Sequence, residues 1–480
     1  MKKSALLFIL LSCLAPAEDV RQSILSDPKS PYYVDFSRYP RGDRSLPVGV
    51  FDSGTGGLTV LNAIVQYDEH NNRSGLDGAD GEADFCHEDM IYLADQANMP
   101  YGNYASEGKT DLLIEHILKC AQFLLGNRYY GDGPKLDKKP VKVVVIACNT
   151  ATAYGKTSVE ELLKQAPSDL KVIGVIDAGA RGALSVFGPQ ESGSVGIFAT
   201  TGTVASGGYV RAIRRLQSEL GLAGDVQTFS QGGLGLAEAI DEEPDFIDRK
   251  ATTVRPNYRG PKVDVGLLPF YHFNQDPSSL LCDGPSPEEC SCVQINSPEN
   301  YARFHIVSLL ESMRKEPSAR PLKAIILGCT HYPYVQEHID RVLGELRQQD
   351  RYQALIGDQV VLVDPAVNTA RELYTHLHQQ KLENSAGSLE NSEFYISVPN
   401  PEVPGAQLEA AGSRFSYAYK YGRTAGQGLA YVRNVPFSRQ NIPAEVASRL
   451  RQQIPAVYRL IQRFEETNAK TRFLAPDQRL

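Results

Sequence analysis

Short apolar runs alternate with stretches of helical spacing along most of the chain, and this alternation constrains the fold more than any other feature. Helical spacing is clear at residues 58–65 and 111–125. Strand-like runs lie at residues 46–51, 90–94, 141–146, 172–176, 194–199, 323–327 and 359–363. Strands that alternate with helices form parallel sheets, whose ligand sites lie beyond the carboxyl ends of the strands. The sequence therefore predicts an α/β fold.

Two of the apolar runs end in a cysteine. Residues 143–147 lead into Cys148 and residues 324–328 lead into Cys329, and each cysteine is followed by small polar or imidazole-bearing residues. Cysteine is often a buried structural residue. However, two thiols in matched settings at strand ends are typical of a reaction that removes a proton from one face of a substrate and returns one to the other face. The pair favours racemisation.

The two halves of the chain carry similar motifs in the same order. The turn at residues 49–54 has a partner at residues 196–202, and Cys148-Asn-Thr has a partner in Cys329-Thr-His. Chance similarity between strand-turn units is the alternative. We predict two similar lobes with parallel sheets, related by a pseudo-twofold axis, with the active site in the cleft between them.

The predicted domain boundaries follow from these repeats and from polar stretches that interrupt them. They are residues 1–17 as a signal peptide, 18–45 as an amino-terminal extension, 46–172 as the first lobe (completed by about 350–382), 173–349 as the second lobe with an insertion at about 242–299, and 383–480 as an insertion and carboxyl-terminal extension. Long stretches without periodicity usually form surface insertions or lids.

Charge and composition restrict the class of partner. The 480-residue chain has a formal net charge of -8 and lacks basic clusters, which argues against nucleic acid. The glycine-rich turn at residues 52–57 lacks the spacing of a dinucleotide fingerprint and has no following Lys-Ser/Thr pair. A carboxylate at Asp52 would also repel phosphate. A small-molecule substrate fits better.

The first residues have the pattern of a secretory signal. Two lysines precede an apolar stretch too short to span a bilayer, and small residues follow, so that cleavage after Ala17 is expected. Residues 10–13 also resemble a lipoprotein processing site, which would attach the protein to a membrane only if Cys13 is lipidated. We expect export, with the periplasm as the location. A chain without a functional signal would stay in the cytoplasm.

The remaining cysteines have other predicted roles. Cys120 lies in a helical pattern and is expected in the core. Cys86, Cys282, Cys290 and Cys292 lie in polar insertions, where an oxidising compartment favours at least one disulfide, expected to join one insertion to another. A metal site is disfavoured because the cysteine cluster has no nearby histidine.

At its motifs the chain resembles glutamate racemases, the cofactor-independent enzymes of the aspartate/glutamate racemase family. The resemblance runs from about residue 47 to residue 376. It rests on residues 48–60, 92–102, 147–151, 172–176, 202–204 with Ser206, 327–333 and 363–367. The first motif, which ends in Gly-Gly-Leu-Thr-Val, is more similar to glutamate than to aspartate racemases.

The resemblance implies roles for particular residues. Cys148 and Cys329 are the two acid/base thiols, and Asp52 and His331 assist them. A free thiol has a pKa of about 8.5, so an adjacent carboxylate or imidazole is needed to manage its proton near neutral pH. The expected substrate-binding residues are Asp52, Ser53, Tyr101, Gly102, Asn149, Thr150, Thr330 and His331.

One stretch departs from the family pattern. Family members usually carry a Cys-Pro segment ahead of an active-site glutamate, whereas residues 230–238 lack it. Glu238 is the best match to that acid, and the departure puts substrate preference and the environment of one thiol in question.

The predicted activity is racemisation of L- and D-glutamate by two cysteines without a cofactor or a metal, supplying D-glutamate for peptidoglycan. The alternatives are an aspartate or broader amino-acid racemase, a related decarboxylase or isomerase that needs one thiol, and an exported amino-acid-binding protein without turnover. A homodimer is left open.

Overall fold

The computed structural model describes residues 16–480 except 167–169, 241, 243–244, 285–288, 410–411 and 413. The α-helices are α1 (Pro16–Ser26), α2 (Leu58–Val65), α3 (Gly102–Ser106), α4 (Thr110–Leu125), α5 (Asn149–Gln165), α6 (Val175–Leu184), α7 (Thr201–Ser206), α8 (Gly208–Glu219), α9 (Leu236–Ile240), α10 (Leu268–Tyr271), α11 (Pro298–Arg314), α12 (Gln336–Arg347), α13 (Pro365–Gln380), α14 (Tyr417–Gly422), α15 (Ala444–Gln453) and α16 (Pro455–Thr467). The strands are β1 (Val48–Asp52), β2 (Met90–Ala94), β3 (Tyr129–Tyr130), β4 (Pro134–Lys135), β5 (Val143–Ile146), β6 (Lys171–Gly174), β7 (Gly193–Ala199), β8 (Val226–Gly232), β9 (Leu280–Cys282), β10 (Val293–Ile295), β11 (Leu322–Gly328), β12 (Ile356–Val363), β13 (Glu393–Pro399), β14 (Leu408–Glu409), β15 (Arg414–Phe415) and β16 (Val432–Pro436).

The first lobe is built on a six-stranded sheet in the order β16-β13-β2-β1-β5-β6. Its strands are parallel except β16, which runs antiparallel to β13 at one edge. Every residue of β1, β2 and β5 is buried, as expected where helices cover both faces of a parallel sheet. Helices α2, α4, α5, α13 and α16 contact this sheet or one another.

The second lobe has a four-stranded parallel sheet in the order β12-β11-β7-β8. Helices α6 and α8 pack together beside it, and α11 and α12 pack together on β8 and β12. The chain enters this lobe through β6 and α6 and returns through β12 and α13. Because α6 and α13 pack against each other, the two connections lie side by side.

The predicted fold class is confirmed: both main sheets contain parallel strands, with helices between successive strands. Two local predictions were wrong. Residues 175 and 176, expected in a strand, begin α6. Residues 356–363, expected to complete the first lobe, form β12 and pair with β11 in the second lobe. The boundary between the lobes differs from the prediction because β12 forms its backbone hydrogen bonds with β11 of the second sheet, whereas α13 packs on the first lobe.

The carboxyl-terminal region is not peripheral, which corrects the expectation of an insertion and extension at residues 383–480. Strand β13 lies inside the first sheet, between β16 and β2. Its Phe394, Tyr395 and Ile396 are at most 1% exposed. Helix α16 places Val457 and Ile461 in the same core at 0% exposure. The first lobe therefore depends on this region for its hydrophobic core.

The amino-terminal region is also more ordered than its sequence suggested. The expected extension at residues 18–45 contains most of α1, whose Val20 and Ile24 are buried in the first lobe. The predicted cleavage after Ala17 falls within this helix. Residues 1–15, which carry most of the predicted signal and Cys13, lie outside the described residues. Among the helices that the structure describes, none has the length and apolar character needed to cross a membrane.

The disulfide lies within one insertion. Cys282 is bonded to Cys290, with 5.8 Å between their Cα atoms. The expectation of a bond between two insertions was therefore wrong, because the β9–β10 hairpin brings these two cysteines together. Cys86 and Cys292 are free, and Cys120 is buried in the first lobe as predicted.

Candidate active site

The loop after β1 places a buried carboxylate at the end of the first sheet. Asp52 is 7% exposed, and its Oδ2 accepts hydrogen bonds from the backbone N–H groups of Gly54 (3.1 Å) and Gly57 (2.9 Å). A Cβ atom at Gly57 would lie only 2.4 Å from the Cβ of Asp52. Glycine is therefore required for the loop to fold back over the carboxylate. Burial raises the pKa of Asp52, and these N–H groups oppose that shift.

Cys148 follows the neighbouring strand β5 and caps the amino terminus of α5. Its Sγ accepts the N–H of Ala151 at 3.4 Å, and its thiol points to Ser53 Oγ at 3.6 Å. Asp52 lies close by, because it precedes Ser53 in the chain and ends the strand that pairs with β5. Burial, followed by the negative charge of Asp52, raises the pKa of Cys148 to about 12. The thiol and the carboxylate form a pair that can pass one proton between them.

Cys329 occupies the corresponding place in the second lobe, directly after β11. It is 8% exposed, and its Sγ lies 3.7 Å from Nδ1 of His331. The hydroxyl oxygen of Thr330 lies 3.4 Å from the same nitrogen. The imidazole is thus placed to exchange a proton with this thiol.

Two contacts join the strand ends of the lobes. Tyr209 on α8 donates a hydrogen bond of 2.9 Å to Oδ1 of Asn149, the residue after Cys148. Its ring also lies beside Gly328, where an added Cβ would be 3.0 Å from Tyr209 Cε2. An added Cβ at Gly56 would be 3.7 Å from Thr330 Oγ1. The structure therefore brings both thiol-bearing segments to one cleft.

The predicted substrate-binding residues differ in what they can offer. Asn149 and Thr150 are partly exposed at the amino terminus of α5, where unpaired backbone N–H groups favour a carboxylate. Ser53, Thr330 and His331 are also partly exposed.

The predicted Tyr101–Gly102 turn is available only through its backbone. Tyr101 is 1% exposed, and its hydroxyl donates to Asp95 at 2.6 Å and lies 3.5 Å from Cys120 Sγ. Its side chain therefore points into the first lobe. Gly102 is exposed at the start of α3.

Glu238 lies on α9, next to Tyr332. The negative charges of Cys329 and Glu238 both add to the effect of burial in raising the pKa of Tyr332, so the tyrosine has both groups nearby. Tyr332 is fully buried, and its hydroxyl donates to the carbonyl of Gly233 at 3.2 Å. Helix α9, which carries Glu238, thus lies against the turn that begins at Tyr332.

Two tyrosines near the site were missed at the sequence level. Tyr92 donates a hydrogen bond of 2.7 Å to the carbonyl of Gly54, and burial with the charges of Asp52 and Cys148 raises its pKa. Tyr92 opens one of the motifs that carry the family resemblance, which was a usable signal. Tyr209 had no comparable signal, because its hydrogen-bond partner Asn149 lies in the other lobe.

Groups of candidate metal ligands lie elsewhere. Within the described ranges, two groups of three such side chains occur. One is Glu82, Cys86 and His87, and the other is Cys282, Asp283 and Cys290, whose two cysteines are joined in the disulfide and therefore offer no thiolate. Neither group includes a residue of the cleft.

Two α/β lobes with a thiol at the end of a central strand in each define an isomerase of the amino-acid racemase class. No protein-family model matches the chain. A glutamate racemase from Stutzerimonas stutzeri is 35% identical over 355 residues, which cover 74% of this chain and 90% of that protein. One from Oceanobacillus iheyensis is 27% identical over 350 residues, covering 73% and 86%. The chain belongs to the glutamate racemase family.

Solved structures of the same family also align with the chain. The glutamate racemase from Francisella tularensis in complex with D-glutamate shares 23% identity at a TM-score of 0.42, covering 75% of this chain and 90% of that chain.

Proposed function

We propose that the protein interconverts L- and D-glutamate through Cys148 and Cys329, one thiol acting on each face of the α-carbon. The observation that carries the proposal is the pair of buried thiols at the ends of β5 and β11, each with a proton-accepting side chain beside it. The family relationship supports glutamate as the substrate.

The proposed reaction has two proton transfers. One cysteine, as thiolate, takes the α-proton, and the electron pair of the broken C–H bond stays on the α-carbon. The other cysteine, as thiol, gives its proton to the opposite face, which inverts the configuration. Asp52 accepts and returns the thiol proton of Cys148, and His331 accepts and returns the thiol proton of Cys329. In the reverse direction the two thiols exchange roles.

Binding groups on both lobes would hold the substrate. The amino terminus of α5, with the side chains of Asn149 and Thr150, offers donors to one carboxylate. Thr330 and Ser53 provide hydroxyls, and the backbone at Tyr101 and Gly102 completes the wall of the first lobe. Glu238 is proposed as a further acid near Cys329, because its helix α9 contacts the turn that begins at Tyr332.

The test is circular dichroism of L- and D-glutamate, and separately of L- and D-aspartate, incubated with the purified full chain. We expect the signal of either glutamate enantiomer to decay to zero without added cofactor. If the circular dichroism signal of aspartate decays faster than that of glutamate, aspartate is the preferred substrate. Tight amino-acid binding with a constant signal would instead identify a binding protein.

We propose further that the chain supplies D-glutamate for peptidoglycan and is exported, on the basis of the family relationship and the sequence pattern of residues 1–17. Complementation of a bacterial strain that requires D-glutamate tests both points. The full chain and a form lacking residues 1–15, which retains α1, are compared. Growth with the shortened form would support the supply role, and growth with neither form would contradict it. Failure of the full chain where the shortened form succeeds would support export, and growth with both forms would contradict export.

A further inference from the structure

The carboxyl-terminal clamp (residues 417–423) holds the turn that precedes Tyr101. Lys420 Nζ donates a hydrogen bond of 2.5 Å to the carbonyl oxygen of Met99. Tyr421 donates one of 3.2 Å to the carbonyl oxygen of Pro100. Two successive carbonyls are therefore fixed by side chains that come 321 residues later in the chain.

Arg423 fixes both sides of the same turn. It is 5% exposed, and its Nη2 donates to Asn98 Oδ1 at 2.8 Å and to the hydroxyl of Tyr104 at 3.3 Å. Asn98 precedes the turn and Tyr104 follows it. The guanidinium also lies 4.7 Å from the ring of Phe415 and 4.9 Å from that of Tyr431, which keeps it in place.

The opposite side of the turn contacts the catalytic loop. A Cβ at Gly54 would lie 2.6 Å from Met99 Sδ, so the Met99 side chain rests against the loop that follows Asp52. The backbone N–H of Asp95 donates to the carbonyl of Asp52 at 2.8 Å. The turn is thus held between the Asp52 loop and the carboxyl-terminal clamp.

We propose that Lys420 and Arg423 are positioning residues for the active site, and that the carboxyl-terminal clamp sets where the backbone of Tyr101 and Gly102 meets the substrate. The inference rests on the proposed racemase function. A displacement of about 1 Å in a binding group can reduce activity by as much as 10²-fold. Because the clamp contacts the turn and neither thiol, its loss should weaken substrate binding more than proton transfer.

Steady-state kinetics of Lys420→Met tests the proposal. Methionine keeps the length of the stem and removes the ammonium donor. We expect KM for glutamate to rise about tenfold, with kcat changed less than about twofold. Lys420→Arg, which restores a donor, should return KM to within about twofold of the wild-type value. Lys135→Met, at a half-exposed lysine that pairs with Asp132 away from the turn, is the matched control and should leave KM unchanged.

Arg423→Ala and hydrogen exchange give a second measurement. Arg423→Ala should raise KM in the same way if its thermal unfolding shows a folded protein. Amide exchange of residues 99–104 should accelerate in Lys420→Met and stay unchanged in Lys135→Met.

If the wild-type protein is active and Lys420→Met has an unchanged KM for glutamate, the inference is overturned. If the wild-type protein does not racemise glutamate, the proposed function fails, and exchange at the turn decides on the clamp: faster exchange supports it and unchanged exchange overturns it.

Discussion

The two thiol sites have matched positions but different chemistry. Cys148 in the first lobe lies near the buried carboxylate of Asp52, whose charge helps to raise the pKa of the thiol, whereas Cys329 in the second lobe lies beside the imidazole of His331. A carboxylate disfavours the thiolate by its charge, while an imidazole that takes the proton becomes a cation beside it. Similar strand-end motifs therefore do not make the two proton transfers equivalent.

The surroundings of the two sites differ as well. The first lobe is completed by the carboxyl-terminal region through β13, β16 and α16. The second lobe carries an insertion in which the β9–β10 hairpin contains the Cys282–Cys290 disulfide. The hydrophobic core around the thiol-bearing strand is thus completed by a different region of the chain in each lobe.

The largest effect is expected from removing either thiol. Cys148→Ser and Cys329→Ser should each reduce racemisation by about 10²–10⁴-fold, because a serine hydroxyl cannot replace the thiol as acid and base. The readout is the rate of loss of the circular dichroism of glutamate. Near-normal racemisation in either single variant would show that one thiol suffices and would remove the basis for comparing the two sites.

Asp52→Asn should separate activity from thiol reactivity. The Asp52 charge contributes to the raised pKa of Cys148, so its removal should lower that pKa from about 12 and increase the thiolate fraction at any given lower pH. Alkylation of Cys148 should therefore become faster while racemisation falls about 10²-fold. Mass spectrometry of the alkylated protein over a pH series measures the first effect.

The matched variant for the other lobe is His331→Asn. It should also lower racemisation but leave the pH dependence of Cys148 alkylation unchanged. A parallel shift in both variants would argue against Asp52 as the specific partner of Cys148.

Loss of the disulfide should affect the stability of the second lobe. Cys282 and Cys290 are separated by eight positions in sequence, for which chain entropy predicts a loss of about 2–3 kcal/mol in the free energy of unfolding of the double variant Cys282→Ser/Cys290→Ser. Denaturant unfolding measures the change, and racemisation by the folded variant should stay within about twofold. Cys292→Ser, at an exposed free cysteine, is the control and should change stability by less than about 0.5 kcal/mol. Equal stability of both variants would contradict the prediction.

The smallest effect is expected at the link between the lobes. Tyr209→Phe removes the hydrogen bond to Asn149, worth about 1 kcal/mol, and should lower kcat/KM about fivefold if that bond orients the lobes. Tyr39→Phe is the matched control, because this buried tyrosine bonds to the carbonyl of Val141 within the first lobe. It should reduce stability and leave kcat/KM unchanged. Equal kinetic effects in both variants would contradict a specific role for Tyr209.

Local patterns predicted much of the framework. Helix α2 and strand β2 have the bounds that their apolar spacing indicated, at residues 58–65 and 90–94. The positions of Cys148 and Cys329 at strand ends also followed from the sequence, since a buried parallel strand is a continuous apolar run and its end is marked by the first polar residues. These features depend on neighbours along the chain.

What the amino-acid sequence determined by itself was therefore the α/β class, the strand-end thiols and their nearest neighbours in the chain. Tertiary structure alone decided that β13 enters the first sheet, that Tyr101 turns its hydroxyl inward, and that Tyr209 bridges the lobes. The physical reason is that sheet order and side-chain direction depend on hydrogen-bonding edges and buried surfaces supplied by residues distant in sequence, about which apolar periodicity carries no information.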